Sequence, residues 1–249
     1  MPKVYVIGHK SPDLDSVAAA IAYADYKNKA ETTDDYTPAV AGELNRETAY
    51  VLEKYGLKAP ELLASAAGQT VVLVDHNETG QAVDGLAEAK IREVLDHHKL
   101  DFKYAEPIAV TVRPWGSSCS IIYDLYRQNG ISLSADLAGL MLSAVLVDTV
   151  ITKSPTTTEA DRKIIEELAK LAQVSDWKRY GLELFKVRSS VSELSAAEII
   201  KSDFKDFTTK SGKLGIGQVE TVDLAEFASR EAELLLELKN LKNANAYHS

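Results

Sequence analysis

The sequence has a single cysteine, Cys119. No internal disulfide can form, and the chain fits a reducing compartment, with the cytoplasm as the expected location. No apolar run approaches the ~20 residues that a bilayer span requires, so no membrane association is expected. The opening MPKVYVIG carries one lysine and a short apolar stretch, but polar HKSPDLDS follows at once. It reads as a first strand and not as a signal peptide. Positive charge is scarce as well: 28 Lys and Arg stand against 37 Asp and Glu, a net charge of -9. A generic nucleic-acid binder leans the other way, because neutralising phosphates takes Lys and Arg. No nucleic-acid partner is expected, although a small acidic site could still handle phosphates through metal ions. Internal repeats and low-complexity segments are missing too. GIGQVE (215–220) lacks the third glycine of a dinucleotide-binding fingerprint and sits in a strand-like stretch.

What is present is 249 residues, 45% of them hydrophobic, ample for a real core. Strand-like KVYVIGH (3–9), TPAVAGE (37–43), TVVLVDH (70–76) and IREVLDHH (91–98) alternate with helical segments at 16–29 and 44–56. Continuous apolar strands separated by helices predict an α/β fold, a mostly parallel sheet with helices on both faces. A further strand is expected at 105–114, then helices at 116–130, 135–150, 156–173 and 177–187; the fourth of these five segments opens on a Thr/Glu capping pattern. The polar, Ser-rich stretch 186–195 reads as a linker. It divides a first domain, 1–187, from a smaller partial α/β lobe, 195–249, with a strand at 214–222 and a helix at 224–242. About 55 residues make a meagre independent core.

The chemistry-bearing residues gather where apolar strands end. VYVIGHKSPDLDS places His9, Asp13 and Asp15 after the first strand; VDHNE places Asp75 after the third; LDHHK places Asp96, His97 and His98 after the fourth. In an open parallel sheet the carboxyl ends of the strands form the ligand-binding rim. Four of the five histidines fall in these motifs. Asp148 closes the strongly apolar LMLSAVLVD, and a buried carboxylate there needs a partner, which a divalent cation supplies. Taken one by one these residues have plainer explanations; Asp15, for instance, could simply cap a helix starting at Ser16. Their concentration on one rim argues for a metal site. Imidazoles mixed with carboxylates, without thiolate, suit Mn, Co, Fe or Zn, and a carboxylate-rich set leans to Mn or Mg. The acids exceed the need of one ion and would serve two, roughly 3.5–4 Å apart. GSSCS (116–120), before a helix, offers backbone N–H groups to an anion. Arg113 and Lys153 are candidate substrate-proximal cations.

GHKSPDLDS, VDHNE, LDHH and LSAVLVD resemble, in order and spacing, the four motifs of DHH phosphoesterases, and the chain as a whole resembles the manganese-dependent (family II) inorganic pyrophosphatases. The resemblance implies hydrolysis of inorganic pyrophosphate to two phosphates by a water activated between two Mn²⁺ ions per chain, with Co²⁺ or Mg²⁺ as substitutes. It implies metal ligation by His9, Asp13, Asp15, Asp75, His97 and Asp148, with Asp75 bridging. Asp96 would stand behind the ligands and orient one, and His98 would face the substrate. Lys205, in SDFKDF, would bind it from the smaller lobe. A homodimer made through the first domain is also implied. One departure stands out. Family members carry a late Ser-Arg-Lys-Lys motif that clamps the phosphates, while this chain reads LKNANAYHS after its last helix. The expectation is a complete metal site with an incomplete clamp, and turnover weakened accordingly. The rivals are another phosphoesterase of the same superfamily, an exopolyphosphatase or oligonucleotide phosphodiesterase, or a metal-binding chain without turnover.

Overall fold

The β-branched and aliphatic runs of the first half pair into one parallel sheet. In the computed structural model, residues 3–190, 194–201, 204–210, 212–219, 221, 224–245 and 247–248 are described. Strands β1 (Val4–Ile7), β2 (Tyr36–Val40), β3 (Glu61–Leu62), β4 (Thr70–Val74), β5 (Lys90–Asp96) and β6 (Ala109–Val112) lie in the order β3-β2-β1-β4-β5-β6. Every pairing is parallel. Strands β2 and β3 lie on one side of β1 and β4 to β6 on the other, so the order reverses between β1 and β4. A crevice opens at the carboxyl ends of the strands at such a reversal.

Both faces of the sheet are buried, by different means. Val4, Val6, Val72, Val74 and Leu95 pack with apolar residues of α1 (Leu14–Glu31), α2 (Arg46–Lys54), α3 (Ser118–Gln128), α4 (Ala135–Asp148), α5 (Glu159–Leu171) and α6 (Trp177–Ser189). Ile7, Val71, Leu73, Ile91 and Val94 point the other way. Their cover is the irregular chain around Ala66, Ala82, Val83, Leu86, Phe102 and Tyr104, with 3₁₀ turns at Thr79–Gln81 and Leu86–Glu88. Helices therefore cover one face, while the connections that follow β4 and β5 close the second without an α-helix. Helix α4 is buried from Leu137 to Val147 and capped by Ser134, whose side chain accepts from the Leu137 amide. A Leu→Ala change at Leu140, Leu142 or Leu146 would cost roughly 2–5 kcal/mol.

The chain divides into two compact units, Met1–Leu184 and Phe185–Ser249. The second unit contains α7 (Ala196–Lys201), the antiparallel pair β7 (Phe204–Thr209) and β8 (Gly212–Gly217), α8 (Ala225–Ala228) and α9 (Glu231–Ala244). The strand expected over 214–222 is β8, two residues earlier and ending at Gly217; residues 220 and 222 of that stretch lie outside the described ones. The helix expected over 224–242 is two helices, broken at Ser229 and Arg230, where the Arg230 guanidinium donates to the Leu194 carbonyl (2.8 Å). Among the described residues no helix is long and apolar enough to cross a membrane.

Candidate metal centre

Four strand ends and one helix end build the site. Gly8, between β1 and His9, permits the first close approach, because a Cβ there would stand 1.8 Å from Ser16 Oγ. That hydroxyl accepts from the His9 amide (3.1 Å), which ties the strand end to the first turn of α1. Asp13 caps α1, accepting from the Ser16 amide (3.0 Å), while its Oδ1 also lies 3.5 Å from His9 Nε2. The cap is thus Asp13 and not Asp15. Asp15 lies inside the first turn and is fully buried.

Asp75 follows β4 with a left-handed backbone (φ 60°), a conformation rare outside glycine that concentrates at functional sites. Its carboxylate is buried and faces two ways. Oδ2 lies 3.5 Å from His9 Nε2, and Oδ1 lies 3.4 Å from His97 Nε2. His97 Nε2 is also 3.9 Å from Asp148 Oδ2, at the last residue of α4. Beyond Asp148 the chain makes a left-handed turn through Val150, Ile151 and Thr152 (φ 49°, 52° and 65°). Such angles are costly for β-branched residues and are held here by bonds from the Ile151 amide to the Leu146 carbonyl and from the Ser154 amide to the Thr149 carbonyl, both 2.8 Å.

Three overlapping groups of donors result, each gathered within 4.8 Å: His9, Asp13 and Asp75; Asp15, His97 and Asp148; and Asp75, His97 and His98. Each could hold a cation. All six residues expected as metal ligands are among them. Asp96 stays behind. Its Oδ1 accepts from the His97 amide (2.8 Å), the His98 amide (3.2 Å) and His98 Nδ1 (2.8 Å), so it shapes the turn carrying both histidines. His98 is half exposed, with Nδ1 thus engaged. Lys205 lies on β7 of the second unit and is exposed.

Several residues with no metal-ligand chemistry of their own order the site, and sequence reading missed their roles. Ser117 Oγ (2.7 Å) and the Cys119 amide (3.1 Å) donate to Asp15 Oδ1, and the Ser118 amide donates to Oδ2 (2.7 Å). Ser118 Oγ donates to Asp75 Oδ1 (3.0 Å). The anion held by GSSCS is therefore the protein's own Asp15 carboxylate. The Trp115 carbonyl accepts from His97 Nδ1 (3.0 Å), which leaves Nε2, facing Asp75 and Asp148, as the ring nitrogen available to a cation. Asn77 donates to Asp96 Oδ2 (2.5 Å) and to the Lys99 carbonyl (2.9 Å). Arg113 is bound to Asp124 (2.5 Å) and lies over the Trp115 ring (4.8 Å), so its charge is already engaged. The signal that could have found the serines was the small-residue run itself, read as internal anion binding.

The electrostatics fit a cation. Burial alone lowers the His9 pKa, but Asp13 and Asp75 outweigh it and lift it to about 10. Burial and Asp75 act in the same opposed way on His97, which rises to about 9. Burial would raise Asp75, yet His9 and His97 hold it well below the carboxylate range. Burial and then the Asp75 charge push Asp15 up to about 6 despite its donors. Asp148 rises well above its ordinary value through burial and the neighbouring Asp15, Asp75 and Asp13. Carboxylates crowded until some resist ionisation, beside imidazoles whose inward nitrogens face them, make a donor set that a divalent cation relieves.

Residues 3–145 match the "DHH family, N-terminal domain" and residues 182–249 the "DHHA2 domain". The manganese-dependent inorganic pyrophosphatase of Methanothrix thermoacetophila is 44% identical over 95% of this chain and 76% of its own length. Those of Methanocaldococcus jannaschii (43%; 96% and 78%) and Bacillus subtilis (39%; 94% and 76%) are similar too. A crystal structure of a candidate family II inorganic pyrophosphatase from Methanococcus jannaschii superposes with a TM-score of 0.75 at 40% identity, covering 98% of this chain and 81% of that one. An exopolyphosphatase-related protein from Bacteroides fragilis shares the fold alone, with a TM-score of 0.57 at 16% identity over 82% of this chain and 62% of its own. With a strand-end rim of His and Asp side chains built on this sheet, and relatives this similar over most of their length, the chain belongs to the DHH family, among the manganese-dependent inorganic pyrophosphatases.

Proposed function

We propose that this protein hydrolyses inorganic pyrophosphate to two phosphates with two Mn²⁺ ions. His9 and Asp13 would hold one ion, Asp15, His97 and Asp148 the other, and Asp75 would bridge them. The observation that carries this reading is the two-sided Asp75: Oδ2 is 3.5 Å from His9 Nε2 and Oδ1 is 3.4 Å from His97 Nε2. When bound, the ions would lower the pKa of a water and offset charge on the phosphate oxygens.

The chain's own residues supply the rest. Water oxygen bonds to one phosphorus as the bridging P–O bond breaks, and the leaving phosphate takes a proton. His98 is placed to give it: Asp96 holds its Nδ1 at 2.8 Å and raises its pKa, which favours the protonated ring. Asp96 itself is held low against its burial by the bonds from His98 and Asn77, so it stays an acceptor. No covalent intermediate is needed. Cys119, the one thiol, is buried, and burial pushes its pKa up, away from a nucleophilic thiolate. Lys205, as the family resemblance implies, would bind the substrate phosphates.

The location is the cytoplasm in this reading, which the single buried cysteine supports. The assembly is a homodimer through the first unit. Strand β6 ends the sheet order, with Val110 45% exposed, and a twofold axis would let two such edges pair antiparallel. Light scattering at twice the chain mass is the expected result, and a monomer at micromolar concentration would remove it. For the activity, hydrolysis of pyrophosphate and tripolyphosphate, read as phosphate release, and of a dinucleotide, read as mononucleotide release, is compared in Mn²⁺, with Asp75→Ala as control. Pyrophosphate is expected to be cleaved fastest. Faster dinucleotide cleavage, or stoichiometric metal with no turnover, would sink the proposal.

A further inference from the structure

The loop from Arg113 to Cys119 contributes none of the six proposed ligands, yet it orders three of them. Its Trp115 carbonyl meets His97, and its serines and amides meet Asp15 and Asp75. The middle of the loop is held from a distance. The Gly116 amide donates to Asp161 Oδ2 (2.9 Å), 45 residues later in the chain. Asp161 is fully buried in the first turn of α5. The same oxygen accepts from the Thr158 amide (2.8 Å) and hydroxyl (2.6 Å), and the Asp161 amide donates back to Thr158 Oγ1 (3.3 Å). This is a capping box with one extra donor drawn from the metal-site loop. Asp161 Oδ1 is buried without a hydrogen-bond partner among the described residues. A cap alone would be served at lower desolvation cost by an exposed side chain. Gly116 is also pressed from both sides: a Cβ there would stand 2.6 Å from Thr149 Cγ2 and 3.1 Å from Asp161 Oδ2. Thr149 directly follows Asp148.

We propose that Asp161 is a positioning residue for the metal centre: through the Gly116 amide it fixes the loop that orients His97 and holds Asp15 and Asp75. The proposal rests on the two-ion reading above and needs a test that separates the two. Wild type, Asp161→Ala, Thr158→Val and Gly116→Ala are compared by two measurements. Mn²⁺ affinity is read from the EPR signal of free Mn²⁺, and exchange of the Ser118 and Cys119 amides is read by NMR in chelated protein. Thr158→Val removes the capping hydroxyl and leaves the Asp161–Gly116 bond. It should lower the melting temperature while affinity and exchange stay near wild type. Asp161→Ala should weaken Mn²⁺ binding on the order of 10-fold or more, the usual size for a group that orients a ligand, and should speed exchange of both amides. If Asp161→Ala and Thr158→Val change affinity and exchange equally, Asp161 only caps α5 and the proposal is overturned. Should Asp161→Ala not fold, Gly116→Ala presses on Asp161 Oδ2 and Thr149 and so displaces the loop, and unchanged affinity and exchange in that variant overturn the proposal. If wild type takes up no Mn²⁺ that Asp75→Ala abolishes, the two-ion reading fails, and the exchange data on metal-free protein still decide the role of Asp161.

Discussion

The two halves of the rim are built differently. In the outer half, His9 and Asp13 leave β1 and start α1; Asp13 is half exposed and doubles as a helix cap. In the inner half, Asp15 is fully buried and accepts three hydrogen bonds from residues 117–119, and His97 is oriented by the Trp115 carbonyl. The outer half is thus set by local chain geometry. The inner half is set by a loop that arrives from about 100 residues away. Burial makes the inner acids costly to ionise, so that half has more to gain from a cation and less freedom to adjust to it. Asp75 belongs to both halves.

Removing the shared residue should have the largest effect. Asp75→Ala is expected to abolish paired Mn²⁺ binding and to lower pyrophosphate turnover on the order of 10³-fold or more. Elemental analysis and phosphate release check this, and retention of two ions per chain would contradict it. Acidity should act next. His9, lifted to about 10, and His97, lifted to about 9, carry protons at neutral pH in the metal-free protein. Each ion must displace such a proton, so affinity should rise with pH by about tenfold per unit between pH 7 and 9 for each proton released. Calorimetry in buffers of different ionisation enthalpy counts those protons; a pH-independent affinity would contradict the assignment of the two imidazoles. Ser117→Ala, which removes the hydroxyl bonded to Asp15, tests the inner half alone. It should weaken Mn²⁺ binding about 10-fold there and leave the pH dependence of the His9 half intact, as NMR titration of the imidazoles would show. Asp13→Asn should be the mildest for stability, within a few tenths of a kcal/mol, because Asn caps helices as well as Asp. Removing the charge should still weaken the outer ion, and equal loss from both halves would erase the contrast between them.

Most of the donor set was legible because strand ends and short motifs carry it. HKSPDLD, VDHN and LDHH sit where apolar runs stop, and parallel strands must bring those stops to one edge. Asp148 was legible from the contrast between a carboxylate and the apolar helix before it. Asp13 shows that a plain role and a ligand role can share one side chain, since its Oδ1 accepts from the Ser16 amide and also lies 3.5 Å from His9 Nε2. The helpers were not legible. Ser117, Ser118, Trp115 and Asp161 act through hydroxyls, main-chain groups and a cap, which ordinary folded segments also contain. The helical cover on one face only was hidden as well, because a buried strand looks the same beneath a helix or beneath a packed loop.

The sequence by itself determined the class of fold, the rim on which the chemistry gathers and the kinds of atoms offered to a cation. Those follow from periodicity, from the polarity of strand ends and from side-chain chemistry, all local properties. Only the tertiary structure decided which oxygen of Asp75 faces which imidazole, that GSSCS holds Asp15 in place of an outside anion, and that a buried carboxylate on α5 anchors the loop between them. These outcomes depend on contacts between residues 22 to 104 positions apart. Their geometry is set by how helices and loops pack on the sheet, and no short stretch of chain contains that information.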